Sequence, residues 1–324
     1  MQILILKPSS LGDIICALPV AQSIRDQNPD AVISWVVKSR FRDIVERCPT
    51  VNGEIIEFRH QSGPRGLLEL WRTIRTVRAR HFDAVLDFQG LLRTGLMAAA
   101  AHSPLKLCNG DAREGSRLAS HQVVPFPTGG KNTNAIERLL QFLPAIGLEP
   151  SLRSPIRIQG DSLDSVDPRL AGTRPVVMIP NSRGQERQWP GFPELTVQLL
   201  QNSSEATVVW DSHIAWDDPP TEHKDRFFNL TTCTSLMQMV ELLQNARLVI
   251  ANDSGPLHIA AALGIPTLGL YGPTLPERTG PYPLTEPRNH VLRSPTRKIG
   301  DIPVETVLSS VLSIIESEPQ IQAA

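Results

Sequence analysis

The chain opens on a short unbroken apolar run, Ile3 to Leu6, that stops at Pro8-Ser9-Ser10-Leu11-Gly12. Beyond this break, Ile14, Leu18, Ala21 and Ile24 recur at three- and four-residue spacing, the period of a helix with one buried face. A run with no polar alternation predicts a strand covered on both sides, as in parallel sheets. Val32 to Val37 falls where its parallel partner belongs. Ala84 to Phe88 predicts another strand, ending in Gln89-Gly90, and a helix follows from about Leu91 to Ala101. Strands alternating with helices make the expected fold α/β.

Between Gly147 and Pro175 the periodicity is lost in a stretch rich in Pro, Ser, Gly and Asp, which reads as a linker. Strand-like runs then resume at Val176–Ile179, Ala206–Trp210, Leu248–Ala251 and Pro266–Leu270, with helices at Phe192–Gln201 and Ser235–Asn245 between them. Two similar α/β domains are expected, residues 1–160 and 161–324. The last helix, near Val304–Glu316, has the option of packing back on the first domain.

Composition narrows the function classes. The 324 residues carry 32 Lys+Arg and 33 Asp+Glu, so a polycation built to coat nucleic acid is excluded. The balance hides an asymmetry: the first 150 residues hold 18 basic and 14 acidic side chains, the remainder 14 and 19. Cys16, Cys48, Cys108 and Cys233 are far apart and form no CxxC pair, which fits a reducing compartment without a zinc site or disulfide framework. No signal peptide is readable and no run approaches about 18 uninterrupted apolar residues. The expected location is the cytoplasm, with any membrane contact peripheral.

Five segments carry candidate chemistry. Ser10, Gly12 and Asp13 follow the first strand, where ligands of α/β sheets collect. Asp13 reads either as a general base or as a helix cap. With a single glycine in this turn, the Gly-x-Gly-x-x-Gly needed for a nicotinamide dinucleotide is absent. Asn252 to His258 leads from a strand into an Ala-rich helix, where Asp253 or Ser254 would cap and backbone N–H groups near Ser254 and Gly255 would favour a diphosphate. Pro180 to Pro190 places Ser182, Arg183 and Arg187 in a polar strand-end loop suited to phosphate, or to solvent alone. Asp87 to Arg93, with Gln89, reads as an acceptor pocket or as a plain turn. From Arg59 to Arg80, arginines accompany an apolar helical face of Leu67, Leu70, Trp71, Ile74 and Val77, a basic surface suited to anionic lipid.

Taken together, ILKPSSLGDIICALP, DFQGLLRTG, RQWP and NDSGPLHIAAALGIPTLGLYGPT resemble the family 9 glycosyltransferases, the bacterial heptosyltransferases of lipopolysaccharide core assembly. The resemblance implies a GT-B architecture, with two facing Rossmann-like domains, the lipid-linked acceptor on the first and the nucleotide sugar on the second. It implies Asp13 as the base of an inverting, metal-independent transfer that uses no cofactor. It assigns Asp253, Ser254, Gly255, His258 and Ser182 to the donor, with Arg183 and Arg187 beside its diphosphate and Thr234 at the adenine edge. Arg113, Gln89, Arg93, Ser10, Gly12 and, less directly, Arg59 fall on the acceptor side. Arg187 stands where relatives often have Lys, and Asp211-Ser212-His213 departs from the family pattern, so the acid that would hold the ribose is not placed. The leading expectation is heptose transfer from ADP-heptose to an anionic lipopolysaccharide-core acceptor by a protein peripheral to the inner membrane. Another nucleotide sugar and envelope glycan, or an inactive nucleotide-binding homologue, are the alternatives.

Overall fold

The computed structural model describes residues 1–59, 63–120 and 122–317, so residues 60–62 of the basic segment lie outside the described ones. Two compact units divide the chain, Met1–Ile158 and Gln159–Ala324. The first holds β1 (Gln2–Leu6), α1 (Leu11–Gln27), β2 (Val32–Lys38), α2 (Arg42–Glu46), β3 (Ile55–Phe58), α3 (Gly63–Arg78), β4 (Ala84–Asp87), α4 (Leu92–Ala100), β5 (Leu105–Cys108), β6 (Gln122–Val123) and α5 (Ala135–Leu140). The second holds β7 (Val176–Ile179), α6 (Phe192–Asn202), β8 (Val208–Trp210), β9 (Phe227–Asn229), α7 (Leu236–Gln244), β10 (Leu248–Asn252), α8 (Gly255–Ala262), β11 (Thr267–Tyr271), α9 (Pro276–Thr279), β12 (Asn289–Arg293) and α10 (Val304–Ser317).

Each unit contains one six-stranded, all-parallel sheet, ordered β3-β2-β1-β4-β5-β6 and β12-β11-β10-β7-β8-β9. Counted from the first strand of each unit, both orders are the doubly wound 3-2-1-4-5-6. The chain reverses direction across the sheet between β1 and β4, and again between β7 and β10. Loops leaving the carboxyl ends of these four strands part there and leave a crevice, so each sheet has one place built for a ligand. The central strands are fully buried, which explains their unbroken apolar runs.

Leu4, Leu6, Val36, Val85 and Met97 anchor the first core. Trp189, Phe192, Trp210 and Leu270 anchor the second. Val307, Val311 and Ile314 of α10 also lie in that second core, where α10 packs on α6. Among the described residues no helix is long and apolar enough to cross a membrane.

The basic helix departs from its expected face. Leu70 and Ile74 pack against the first core and Val77 is buried, with Thr73 beside them, but Leu67 is 70% and Trp71 54% exposed. At roughly 100° per residue, Leu67 and Trp71 lie to one side of the arc centred on Leu70, Thr73 and Val77. A stripe as wide as the sequence pattern is only half used.

Candidate active site

In the first unit, Ser10 precedes α1 and donates from both its backbone N–H and its hydroxyl to Asp13 Oδ2, at 2.8 and 2.9 Å. One carboxylate oxygen therefore serves as a cap, while Oδ1 has no hydrogen bond among the described residues. The capping reading of Asp13 is met on one oxygen, and the other is left open. Gly12 borders open space, and a Cβ built there meets nothing within 4 Å.

The β4–α4 turn beside it is organised by Asp87. This wholly buried carboxylate accepts the N–H of Gly90 at 2.9 Å and of Gln89 at 3.1 Å through Oδ1, and the Thr94 hydroxyl at 3.0 Å through Oδ2. Burial pushes it up to about 6, against the pull of these donors and of Lys7. Gly90 takes φ +67°, and a Cβ there would lie 2.4 Å from Asn109 Oδ1, so the turn accepts only glycine. Lys7, itself buried, donates to the Phe88 carbonyl at 3.1 Å and ties the two switch-point strands together.

Of these groups Lys7, Asp13, Phe88, Gln89 and Asn109 line a pocket of about 590 Å³, whereas Ser10 and Gly12 stand outside its lining. Its cations are Lys7, Arg113, Arg117, Lys131 and Arg138, against Asp13 and Asp111, the latter paired with Arg138 at 2.9 Å. Gln89 Oε1 and Asn109 Oδ1 are buried in its wall without a hydrogen-bond partner. An anionic, hydroxyl-rich ligand suits such a lining, since it supplies both negative charge and the missing donors. Cys16, also lining it, is no nucleophile: burial first and Asp13 second push its thiol up to about 12.

In the second unit, Asn252 at the end of β10 fastens two loops together. Its Oδ1 accepts the Trp189 N–H at 3.0 Å and its Nδ2 donates to the Pro180 carbonyl at 2.9 Å. Ser182 donates to the Asp253 carbonyl at 3.0 Å. The Asp253 carboxylate accepts the Thr279 hydroxyl at 3.1 Å and faces Arg187 Nη1 at 3.8 Å. The expected cap at α8 is not made: Ser254 is the N-cap residue, but its hydroxyl makes no capping bond and is buried without a partner. Free N–H groups, an unpartnered hydroxyl and a guanidinium thus converge on the start of α8, an arrangement suited to a diphosphate.

Asp211, which follows β8, was given no role by its sequence context. Its Oδ1 accepts the Thr234 hydroxyl at 2.7 Å, Oδ2 is buried without a partner, and burial pushes its carboxyl up to about 6. A carboxylate at the end of the second strand of a doubly wound sheet is where a ribose hydroxyl is held. The clue in the sequence was an acid directly after an apolar run. Next to it, the Asn181 amide touches the His213 ring at 3.2 Å.

Not every expected residue reaches these sites. Arg59 follows β3, two strands from the switch point, and lies 3.7 Å from Glu57, outside the pocket. Arg93 is exposed on α4 and does not line the pocket, and Arg183 is exposed beside Ser182 with no hydrogen bond or ion pair among the described residues. His258 is half-buried in the first turn of α8. Lys131 and Arg138 were missed because only the tertiary fold brings their segments to the pocket.

The family model described as Glycosyltransferase family 9 (heptosyltransferase) matches residues 70–301. Lipopolysaccharide heptosyltransferase 1 of Pseudomonas aeruginosa is 30% identical over 311 residues, covering 87% of this chain and 81% of that protein. Lipopolysaccharide core heptosyltransferase OpsX of Haemophilus influenzae is 27% identical over 292 residues, covering 86% and 81%. The solved structure of Escherichia coli heptosyltransferase WaaC with ADP has a similar fold, with a TM-score of 0.76 at 22% identity over 97% of this chain and 100% of that one.

Proposed function

Because the chain belongs to glycosyltransferase family 9, we propose that it moves heptose from ADP-heptose to an acceptor of the lipopolysaccharide core, with inversion. Its two doubly wound units are those of a GT-B glycosyltransferase. The observation that carries the reading is the uncapped start of α8, where the unpartnered Ser254 hydroxyl and Arg187 await an anion.

In this mechanism Asp13 Oδ1 takes the proton of the acceptor hydroxyl. The freed oxygen attacks the anomeric carbon from the face opposite the nucleotide. The bond from that carbon to the diphosphate breaks, and its electron pair leaves with the ADP. Arg187 and the N–H groups of Ser254 and Gly255 neutralise the growing charge, so no metal or other cofactor is required. Asp253 positions Arg187, Ser182 fixes the Asp253 backbone, and Asp211 accepts from the ribose while holding Thr234 near the adenine. Lys7, Arg113, Arg117, Lys131 and Arg138 receive the anionic acceptor. Ser10 keeps Asp13 in place, and Gly12 and Gln89 leave room and an acceptor atom beside it. The exposed arginines of α3 hold the protein at the inner face of the cytoplasmic membrane, where a lipid-linked acceptor would be met.

The test is transfer with purified protein. Asp13→Asn keeps its fold and its ADP binding, and its turnover falls by about 10²–10⁴-fold. Turnover at the parental rate refutes the assigned base. In calorimetry with ADP-, GDP- and UDP-sugars the ADP-sugar binds tightest, and preference for another nucleotide overturns the donor.

A further inference from the structure

Of nine large apolar side chains exposed among the described residues, seven belong to the first unit. Six of these seven, all but Val123, are not scattered. Leu67, Leu68 and Trp71 stand on α3, Leu92 and Leu96 one turn apart on α4, and Leu118, 94% exposed, on the short 3-10 turn at residues 116–119. α3 packs on α4, and α4 packs on that turn, so the three elements carry the apolar groups in sequence across one side of the unit. Solvent-exposed patches of this kind mark a surface that meets something.

Cations run through the same band. By helical angle, Arg72, Arg75 and Arg78 share the exposed arc of α3 with Leu67, Leu68 and Trp71. The Arg75 guanidinium sits 5.5 Å from the centre of the Trp71 ring. Arg65, Arg75 and Arg78 form no ion pair among the described residues, and Arg93 projects from α4 between Leu92 and Leu96 in the chain. The band ends beside the acceptor pocket, because Leu118 follows Arg117, a lining residue.

We propose that this band is an interfacial membrane anchor: the leucines and Trp71 enter the headgroup boundary of an anionic bilayer, and the arginines hold its phosphates. At the interface of an anionic bilayer, Leu and Trp side chains bury in the headgroup boundary while neighbouring arginines meet the lipid phosphates. The mixture distinguishes a bilayer from other occupants. A second copy meeting this face about a two-fold axis would set arginine against arginine. An acidic protein would satisfy the cations without calling for six exposed apolar side chains. The inference extends the peripheral reading above, which needs charge alone, by adding insertion next to the pocket that takes a lipid-linked acceptor.

The experiment uses the full chain with vesicles of phosphatidylcholine and of phosphatidylcholine mixed with phosphatidylglycerol, at low and high salt. Flotation measures binding, and quenching by brominated lipid measures the depth of Trp71. Trp35, Trp189 and Trp210 are buried and Trp216 is half-buried against the second core, so the part of the quenched signal that disappears in Trp71→Phe belongs to Trp71. Wild type binds the anionic vesicles, retains part of that binding at high salt, and is quenched. Leu67→Ser with Leu68→Ser, at positions exposed enough to leave folding intact, weakens binding by about tenfold or more without slowing transfer to an acceptor stripped of its lipid. Equal binding by this variant, with Trp71 unquenched, overturns insertion and leaves attraction by charge standing. Absence of binding even at low salt overturns both. A lipid-free dimer in sedimentation that the variant abolishes assigns the band to a second copy and also overturns the proposal.

Discussion

Single atoms decide what each residue is free to do. Asp13 divides its carboxylate, with Oδ2 spent on Ser10 and Oδ1 left open, so a capping residue can also be a base. Gly12 makes the complementary point. A side chain there meets no protein atom, so the fold does not require glycine at that position. We expect Gly12→Ala to keep or raise stability by up to about 1 kcal/mol, as when glycine leaves a helix. On the proposed mechanism the same variant raises the KM for the acceptor, because the added methyl enters the open space beside Asp13. A thermal melt beside a transfer assay checks both halves, and an unchanged KM would remove Gly12 from the site. Gly90 differs, since its positive φ and the nearby Asn109 make it a requirement of the turn itself. Both glycines stand out in the sequence, but their different reasons are visible only in the surroundings.

At the level of elements, the legible strands were those in the middle of each sheet. β1, β2, β4, β7, β8, β10 and β11 are covered on both faces and wrote unbroken apolar runs into the chain. β3, β5, β6, β9 and β12 did not: Ile55, Glu57, Leu105 and Lys106 are only partly buried, and β6 is two exposed residues. Strands towards a sheet edge lack the cover that makes a pattern readable. The strand-end turns were legible because glycine, proline and acids interrupt apolar runs there. What joins one turn to another was not. Asn252 is the example, a buried amide whose two bonds hold the Pro180 and Trp189 loop to the start of α8. We expect Asn252→Ala to cost about 2–4 kcal/mol, since it strands one buried N–H and one buried carbonyl. Denaturant titration measures this loss. ADP affinity should fall with it, whereas a loss confined to stability would detach Asn252 from donor binding.

For the whole molecule, the sequence pointed to two domains of opposite charge, and each unit has its own sheet and its own core. On the proposed reading the acidic half must hold a diphosphate by local means, and the α8 start with Arg187 is the group proposed for it. The basic half concentrates five cations in one pocket and further arginines on α3. Its exposed leucines could not be foreseen from periodicity, because an apolar stripe gives no sign of how much of itself will be buried. If ADP binds the second unit alone, calorimetry of the full chain will show a later transition for that unit, stabilised by about 2.7 kcal/mol at a hundredfold excess over Kd. The first unit's transition stays in place. An equal shift of both would mean that the nucleotide is held by both units.

The shared strand order also governs how the protein is made. β1 is made before the other five strands of its sheet, yet it lies inside that sheet, with Ile3 beside both Ile33 and Ala84. Its second neighbour, β4, is translated only after β2, β3 and α3. Closing so long a loop costs entropy before the contact repays it, and parallel pairings of this kind fold slowly. Asp13 lies in the first turn of α1, just after β1, so the proposed base is made before most of the residues that surround it. A nascent chain halted before β4 would carry the base but lack Gln89, Arg113, Arg138 and most of the rest of the pocket, and activity would wait for the second unit that holds the proposed donor site.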